Sequence, residues 1–297
     1  MSEQMESFTR MALPVEFDAN SIKNSILNVQ YGPLPEHQLD IFYPDVMPEK
    51  PMPVIFYIHG GGWIMGSRRF GALTCIIDAI KSGYAVITVD YRLAPGAAYP
   101  EFLFDVKTAI RFARANAEKY NFDPTKFGAI GDSAGGHIVD MLALTGDYPE
   151  LAGYKYGYEG VSDSVQAVVS LYGPAVLDHD DDKWCEENGK KRFDMRSENG
   201  LTMYQEAFST DNKSLLRLIS PISYVHKGIA PIMFRHGNCD VVVPWVHSKM
   251  LADKIIEVCG ADDVVLDVVD GCEHSDKLFV GSENCVEALK FFDKYLK

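Results

Sequence analysis

FGAIGDSAGGHIVDML, residues 127–142, changes its period in the middle. Phe127 to Ile130 is a short apolar run of strand type, and Gly136 to Leu142 reads as a helix. Between them stands Gly131-Asp132-Ser133-Ala134-Gly135. Strand, tight turn and helix around G-x-S-x-G is the setting of a nucleophile elbow. Small residues flank the serine because the turn is strained and the hydroxyl must project into a cleft with no Cβ in its way. The five-residue pattern is weak alone. The strand before it and the helix after it make Ser133 the candidate nucleophile.

Upstream, His59-Gly60-Gly61-Gly62-Trp63 closes the apolar run 54–58. A flexible loop would also tolerate glycines here. Three in succession, however, let backbone N–H groups approach a substrate oxygen that side chains would exclude. Acyl transfer through a tetrahedral intermediate needs such donors aimed at the developing oxyanion. Gly61 and Gly62, with the N–H of Ala134 beside the serine, are the candidate oxyanion hole. The loop and the elbow stand 74 residues apart, room for a helix–strand–helix–strand segment.

Further outward, short Val- and Ile-rich runs recur at 85–90, 167–171, 232–235 and 264–269, and two early strands at 25–31 and 38–43. Near-continuous apolar runs suit a parallel sheet buried on both faces. Helical stretches fall at about 70–82, 101–120, 135–145, 245–259 and 284–296. The alternation predicts an α/β class: a mostly parallel, doubly wound, eight-stranded sheet with helices on both faces, as a single domain over 1–297. Residues 178–212, opening DHDDDKWCEENGKKRFD, break the alternation with charge and no strand pattern. A bare loop of that length is improbable. Scattered aromatics (Trp184, Phe193, Tyr204, Phe208) need something to pack on, so 178–219 is expected to be a small helical cap insertion, with 1–26 contributing. Trp63, Trp184, Tyr204 and Phe208 are the expected substrate-pocket residues.

Composition narrows the partners. The net charge of −14 at pH 7 repels phosphate backbones and anionic bilayers, so neither nucleic acid nor membrane is expected. The first residues, MSEQMESFTRMALPVEF, lack the apolar core of a signal peptide, and no apolar run approaches a membrane span. Six cysteines without CxxC spacing read as free thiols in a reducing cytoplasm, not a zinc site.

A serine needs a base, and the base an orienting carboxylate. After such an elbow the expected order is acid first, histidine last. His274 lies in DGCEHS, directly after the last strand candidate and before the terminal helix. His137 and His247 fall inside helical runs and His226 precedes a strand, so His274 is the candidate base. Asp240, in HGNCD after the strand 232–235, is the candidate acid; capping the following turn is its alternative role. Asp270 is its rival, but it shares a turn with His274.

Together these residues resemble the α/β-hydrolase superfamily, specifically the hormone-sensitive-lipase-like esterases and the bacterial acetyl-esterase group. The resemblance runs from about Leu39 to the C-terminus. It rests on HGGGW at 59–63, DYRLAP at 90–95, GDSAGG at 131–136, the HGxxDxxVP pattern at 236–244 and a histidine in a late loop. It implies the α/β-hydrolase fold, the triad Ser133, Asp240 and His274, and an oxyanion hole at Gly61, Gly62 and Ala134. Asp90-Tyr91-Arg92 would brace the sheet. One departure is Glu273, which stands where the family usually has glycine before the histidine. The expected function is a cytoplasmic serine carboxylesterase for small to medium acyl esters, acetylated sugars among them, needing no metal or organic cofactor. The arylformamidases, which hydrolyse N-formylkynurenine with the same triad, are the alternative, although their loop usually carries a bulkier residue at the Gly62 position. A non-catalytic ligand receptor on the same fold is the remote one. Fold analogy alone allows a homodimer.

Overall fold

The computed structural model describes residues 16–193, 203–281 and 285–297. Its frame is one eight-stranded sheet in the order β1-β2-β4-β3-β5-β6-β7-β8. The strands are β1 (Ser25–Gln30), β2 (Gln38–Phe42), β3 (Met52–Ile58), β4 (Ala85–Val89), β5 (Phe122–Asp132), β6 (Ala167–Leu171), β7 (Ile232–Gly237) and β8 (Val264–Val269). β2 runs antiparallel to both β1 and β4, and every other pair is parallel. This is the α/β-hydrolase architecture. All eight expected strands are present; β4 and β6, buried along their whole length, are apolar except at Thr88 and Ser170. Burial on both faces does not extend to the edges. β1 alternates between half-buried and exposed positions, and β8 also shows solvent one face.

The topology places the chemistry. From β3 the chain goes to β4 on one side and returns to lay β5 on the other, so β3 and β5 are neighbours. Ile58 is in register with Gly131, which sets the turn after β3 beside the turn after β5. In open α/β sheets, ligands bind outside the carboxyl ends of strands at such a point.

The helices are α1 (Glu101–Ala115), α2 (Ala117–Tyr120), α3 (Ala134–Leu144), α4 (Asp181–Glu187), α5 (Met203–Phe208), α6 (Lys213–Ile219), α7 (Val246–Cys259), α8 (Lys277–Val280) and α9 (Val286–Leu296). α1 and α3 pack on one face of the sheet through Phe102, Val106, Ile110, Ile138 and Leu142. α9 packs on the other through Phe291, Phe292 and Leu296. Its approach to β5 requires Gly128, where a Cβ would stand 2.8 Å from the Phe292 ring.

Two helix expectations are corrected. The stretch 101–120 is broken at Asn116, whose Nδ2 bonds back to Phe112 O at 2.8 Å and competes with the ladder. The stretch 70–82 is two 3₁₀ turns, Gly71–Cys75 and Ile77–Ser82, meeting at Ile76 with φ −130°. The β-branched Thr74, Ile76 and Ile77 disfavour one continuous α-helix there. Of the stretch 1–26, residues 1–15 lie outside the described residues, Phe17 packs on Phe42, and Ser25 and Ile26 belong to β1. No helix among the described residues is long and apolar enough to cross a membrane.

Candidate active site

Ser133 sits at the junction of β5 and α3 with φ 52° and ψ −115°, a strained backbone for a residue with a side chain. Two close approaches force it. A Cβ at Gly135 would stand 2.1 Å from Ile58 O, and one at Gly131 2.4 Å from Gly135 O. The serine N–H is tied to Leu171 O of β6 at 2.9 Å, which fixes the turn against the next strand.

His274 lies on the loop after β8, with its Nε2 3.0 Å from Ser133 Oγ and its Nδ1 2.6 Å from Asp240 Oδ2. Asp240 is fully buried. Its Oδ1 accepts the N–H groups of Val242 and Val243, each at 2.8 Å, so it caps the turn and orients the imidazole at once. Burial pushes its carboxyl up, but the charge of His274 and bonds from His236 and His274 outweigh that and hold it below the usual carboxylate range. His236 Nε2 lies 2.8 Å from Val243 O and 3.2 Å from Asp240 Oδ2, and its Nδ1 accepts Ser248 Oγ–H at 2.8 Å. The ring of Tyr172 meets His274 edge-on at 4.8 Å between centres. Asp270 accepts Asn238 Nδ2 at 2.7 Å, in the tie between the acid loop and the histidine loop.

Gly61 and Gly62 have φ 106° and 61°. A Cβ at Gly61 would strike Met65 O at 2.2 Å. Among the described residues no acceptor is bonded to the N–H of Gly61, Gly62 or Ala134. Asp132 steadies this turn: its Oδ1 accepts Gly60 N–H at 3.0 Å and Tyr57 O–H at 2.9 Å. Burial pushes the Asp132 carboxyl up to about 6 despite these bonds. Tyr91 stacks on His59 at 4.2 Å and donates to its carbonyl at 2.8 Å. Arg92 pairs with Asp105 and Glu101, and Asp90 with Arg68.

The expected pocket residues separate. Trp63 is buried, with Phe208 of α5 at 5.0 Å, and both rings meet His137. His137 is fully buried, and burial lowers it to about 3. Trp184 lies on α4, with Lys190 Nζ 5.5 Å from its ring centre. Tyr204 is on α5, but its side chain lies outside the described residues. Sequence reasoning gave no role to Tyr57, Asp132, Tyr172 or His236. A tyrosine inside a fully apolar strand is a usable signal, because a buried phenol needs a partner. Asp132 stood inside the elbow motif itself.

Residues 39–255 match the family model described as BD-FAE. Esterase LipC of Mycobacterium tuberculosis is 31% identical over 227 residues, 76% of this chain and 54% of that protein. Esterase LipQ of the same organism is 30% identical, over 75% of this chain and 50% of LipQ. The chain thus spans about half the length of these curated relatives. Among solved structures, a truncated carbohydrate esterase from gut microbiota superposes with TM-score 0.77 at 26% identity, over 94% of this chain and 98% of that one. Esterase Est2 of Thermogutta terrifontis, at TM-score 0.68 and 21% identity over 92% of this chain and 91% of that one, shares the fold.

Proposed function

Because the chain belongs to the BD-FAE family, we propose that it is a serine carboxylesterase acting on small to medium acyl esters. One observation carries this reading: Ser133, His274 and Asp240 stand in a hydrogen-bonded line at 3.0 and 2.6 Å, at the carboxyl end of β5. Ser133 Oγ attacks the ester carbonyl as His274 Nε2 takes its proton. The carbonyl electrons move onto oxygen, which the N–H groups of Gly61, Gly62 and Ala134 receive. Collapse expels the alcohol, protonated by His274, and leaves an acyl-serine. Water, deprotonated by the same imidazole, repeats the sequence and releases the acid. Asp240 keeps the proton of resting His274 on Nδ1 and stabilises the imidazolium. These steps need no metal or organic cofactor.

The likeness to a carbohydrate esterase over nearly the whole chain supports sugar-borne esters as the substrate class. The segment 178–219 acts as the cap, its α5 laid against Trp63 and Phe102. The reading is tested by hydrolysis of p-nitrophenyl acetate, butyrate and octanoate, acetylated xylo-oligosaccharides and N-formylkynurenine, with wild type and Ser133→Ala. Ser133-dependent ester turnover with the formamide untouched is expected. Preference for N-formylkynurenine would make it an arylformamidase, and silence on every substrate would favour a receptor.

A further inference from the structure

His247 makes none of the triad's hydrogen bonds, yet it is fully buried at the start of α7 with both ring nitrogens engaged. Its Nδ1 receives two backbone N–H groups, those of Ala175 and Val176, each at 3.2 Å. A nitrogen that accepts two N–H bonds carries no proton, so the ring proton is on Nε2. Nε2 donates to Asp181 Oδ1 at 2.9 Å. Asp181, the first residue of α4, is buried too; it also meets His179 Nδ1 at 2.6 Å and Arg192 at 2.9 Å.

The donor atoms of His179, Asp181 and His247 lie within 4.8 Å of one another, a spacing that could suit a metal ion. The tautomer argues against one. To ligate through Nε2, His247 would have to move its proton to Nδ1, against two N–H donors; metal-bound imidazoles point that second N–H at an acceptor. The other oxygen of Asp181 already faces a guanidinium. The cluster is a clamp.

What it clamps is specific. Ala175 and Val176 belong to the loop after β6 that begins with Tyr172, the ring packed on His274. Asp181 and Arg192 belong to the segment 178–219. From that segment the Phe193 N–H donates to Val241 O at 3.1 Å, and Lys190 Nζ donates to Asn238 O. Asn238 and Val241 flank Asp240. We propose that His247 is a positioning residue that couples the 178–219 segment to the acid loop 238–243 and to the loop 172–176. The segment's seating then sets substrate affinity, and the loop's seating sets the reacting histidine. This rests on the serine-esterase reading.

Two substitutions separate the arms. An Asn oxygen falls near the Nδ1 position and a Gln nitrogen near Nε2, so His247→Asn keeps the arm to Ala175 and Val176, and His247→Gln keeps the arm to Asp181. His247→Asn should raise KM about tenfold with kcat held, the size of one lost hydrogen bond to a charged group. His247→Gln should lower kcat by a similar factor with KM held. A merely structural role would lower the melting temperature of both and separate neither parameter. Hydrogen exchange at Val242 and Val243, read without any substrate, should speed up in Asp181→Ala. That readout holds even if the protein hydrolyses no ester, so failure of the clamp and failure of the esterase reading remain distinguishable. Unchanged exchange, or KM and kcat moving together in both His247 variants, overturns the proposal. So does a zinc-dependent rise in melting temperature that His247→Ala abolishes.

Discussion

The turn that carries Ser133 and the segment 178–219 reach their places by different means. Around the serine the hold is mainly backbone: Ser133 N–H on Leu171 O and glycines packed too closely for any Cβ, with one side chain, the Asp132 carboxylate, taking Gly60 N–H. The described parts of 178–219 are held mainly by side chains, Phe208 among Trp63, Phe102 and His137, and Asp181 among three cationic or imidazole partners. Backbone bonds stand beside them, among them Tyr99 N–H on Ala207 O and Phe193 N–H on Val241 O. Among the described residues the segment's helices have 7, 6 and 7 residues, each too short to persist without tertiary contacts. Close backbone packing fixes Ser133 and the glycine turn, whereas the side-chain contacts of the segment can be exchanged one at a time without moving those two turns. Damage to the first should fall on kcat, and damage to the second on KM.

The largest test of that division is Ser133→Ala. It should lower kcat on p-nitrophenyl acetate by on the order of 10⁵-fold or more while leaving the melting temperature nearly unchanged. Residual turnover within a hundredfold of wild type, in protein free of contaminating esterase, would remove Ser133 from the role of nucleophile. Next comes the acid. Asp240→Asn should cost on the order of 10⁴ in kcat, because the amide favours the wrong imidazole tautomer. Asp270→Asn, acting only through Asn238, should cost less than threefold. A reversal of that order would exchange the two aspartates.

Gly61→Ala probes the backbone side alone. At φ 106° an added Cβ meets Met65 O at 2.2 Å, so the turn must shift and its N–H groups with it. Loss of one oxyanion donor is worth about 10²-fold in kcat, with KM little changed. A rise in KM with kcat intact would show that this turn binds substrate and does not stabilise the transition state.

What could be read from sequence follows the same division. Backbone geometry imposes residue types locally, so the elbow at 131–135, the glycines at 60–62 and the Val/Ile strands announce themselves. Side-chain holds are made across long separations and leave no local pattern. Tyr57 meets Asp132 75 residues on, and His247 reaches partners 66 to 72 residues back. His247 reads from sequence as one more residue of an amphipathic helix, and 178–219 as charge without period. The candidate base His274 was legible from its place after the last strand and its order after the elbow, not from any pattern of its own.

Phe208→Ala tests the segment 178–219 by packing. The ring is 6% exposed and touches Trp63, Tyr99, Phe102 and His137, so its loss should destabilise the fold by about 3 kcal/mol. KM for butyrate and octanoate esters should rise several-fold and kcat should change less. Equal losses in both parameters would tie this segment to the chemistry and blur the contrast.

The smallest effect concerns pH, and it sets the two buried aspartates against each other. Asp240 is held below the usual carboxylate range, so the stability it contributes is present above its unfolded value and is lost only as the pH falls through its folded one. Asp132 runs the other way. Pushed up to about 6 by burial, it binds a proton in the folded state before it does in the unfolded chain, so its contribution grows as the pH falls from 6 toward 4. Between pH 6.5 and 5 that amounts to about 1 kcal/mol, which Asp132→Asn should abolish in urea unfolding curves. Protonation also weakens the acceptor that holds Gly60 N–H, so wild-type kcat should fall over the same interval more than that of the variant. Parallel stability curves for the two proteins across this range would mean that Asp132 stays ionised and grips the glycine turn at every pH at which the protein is folded.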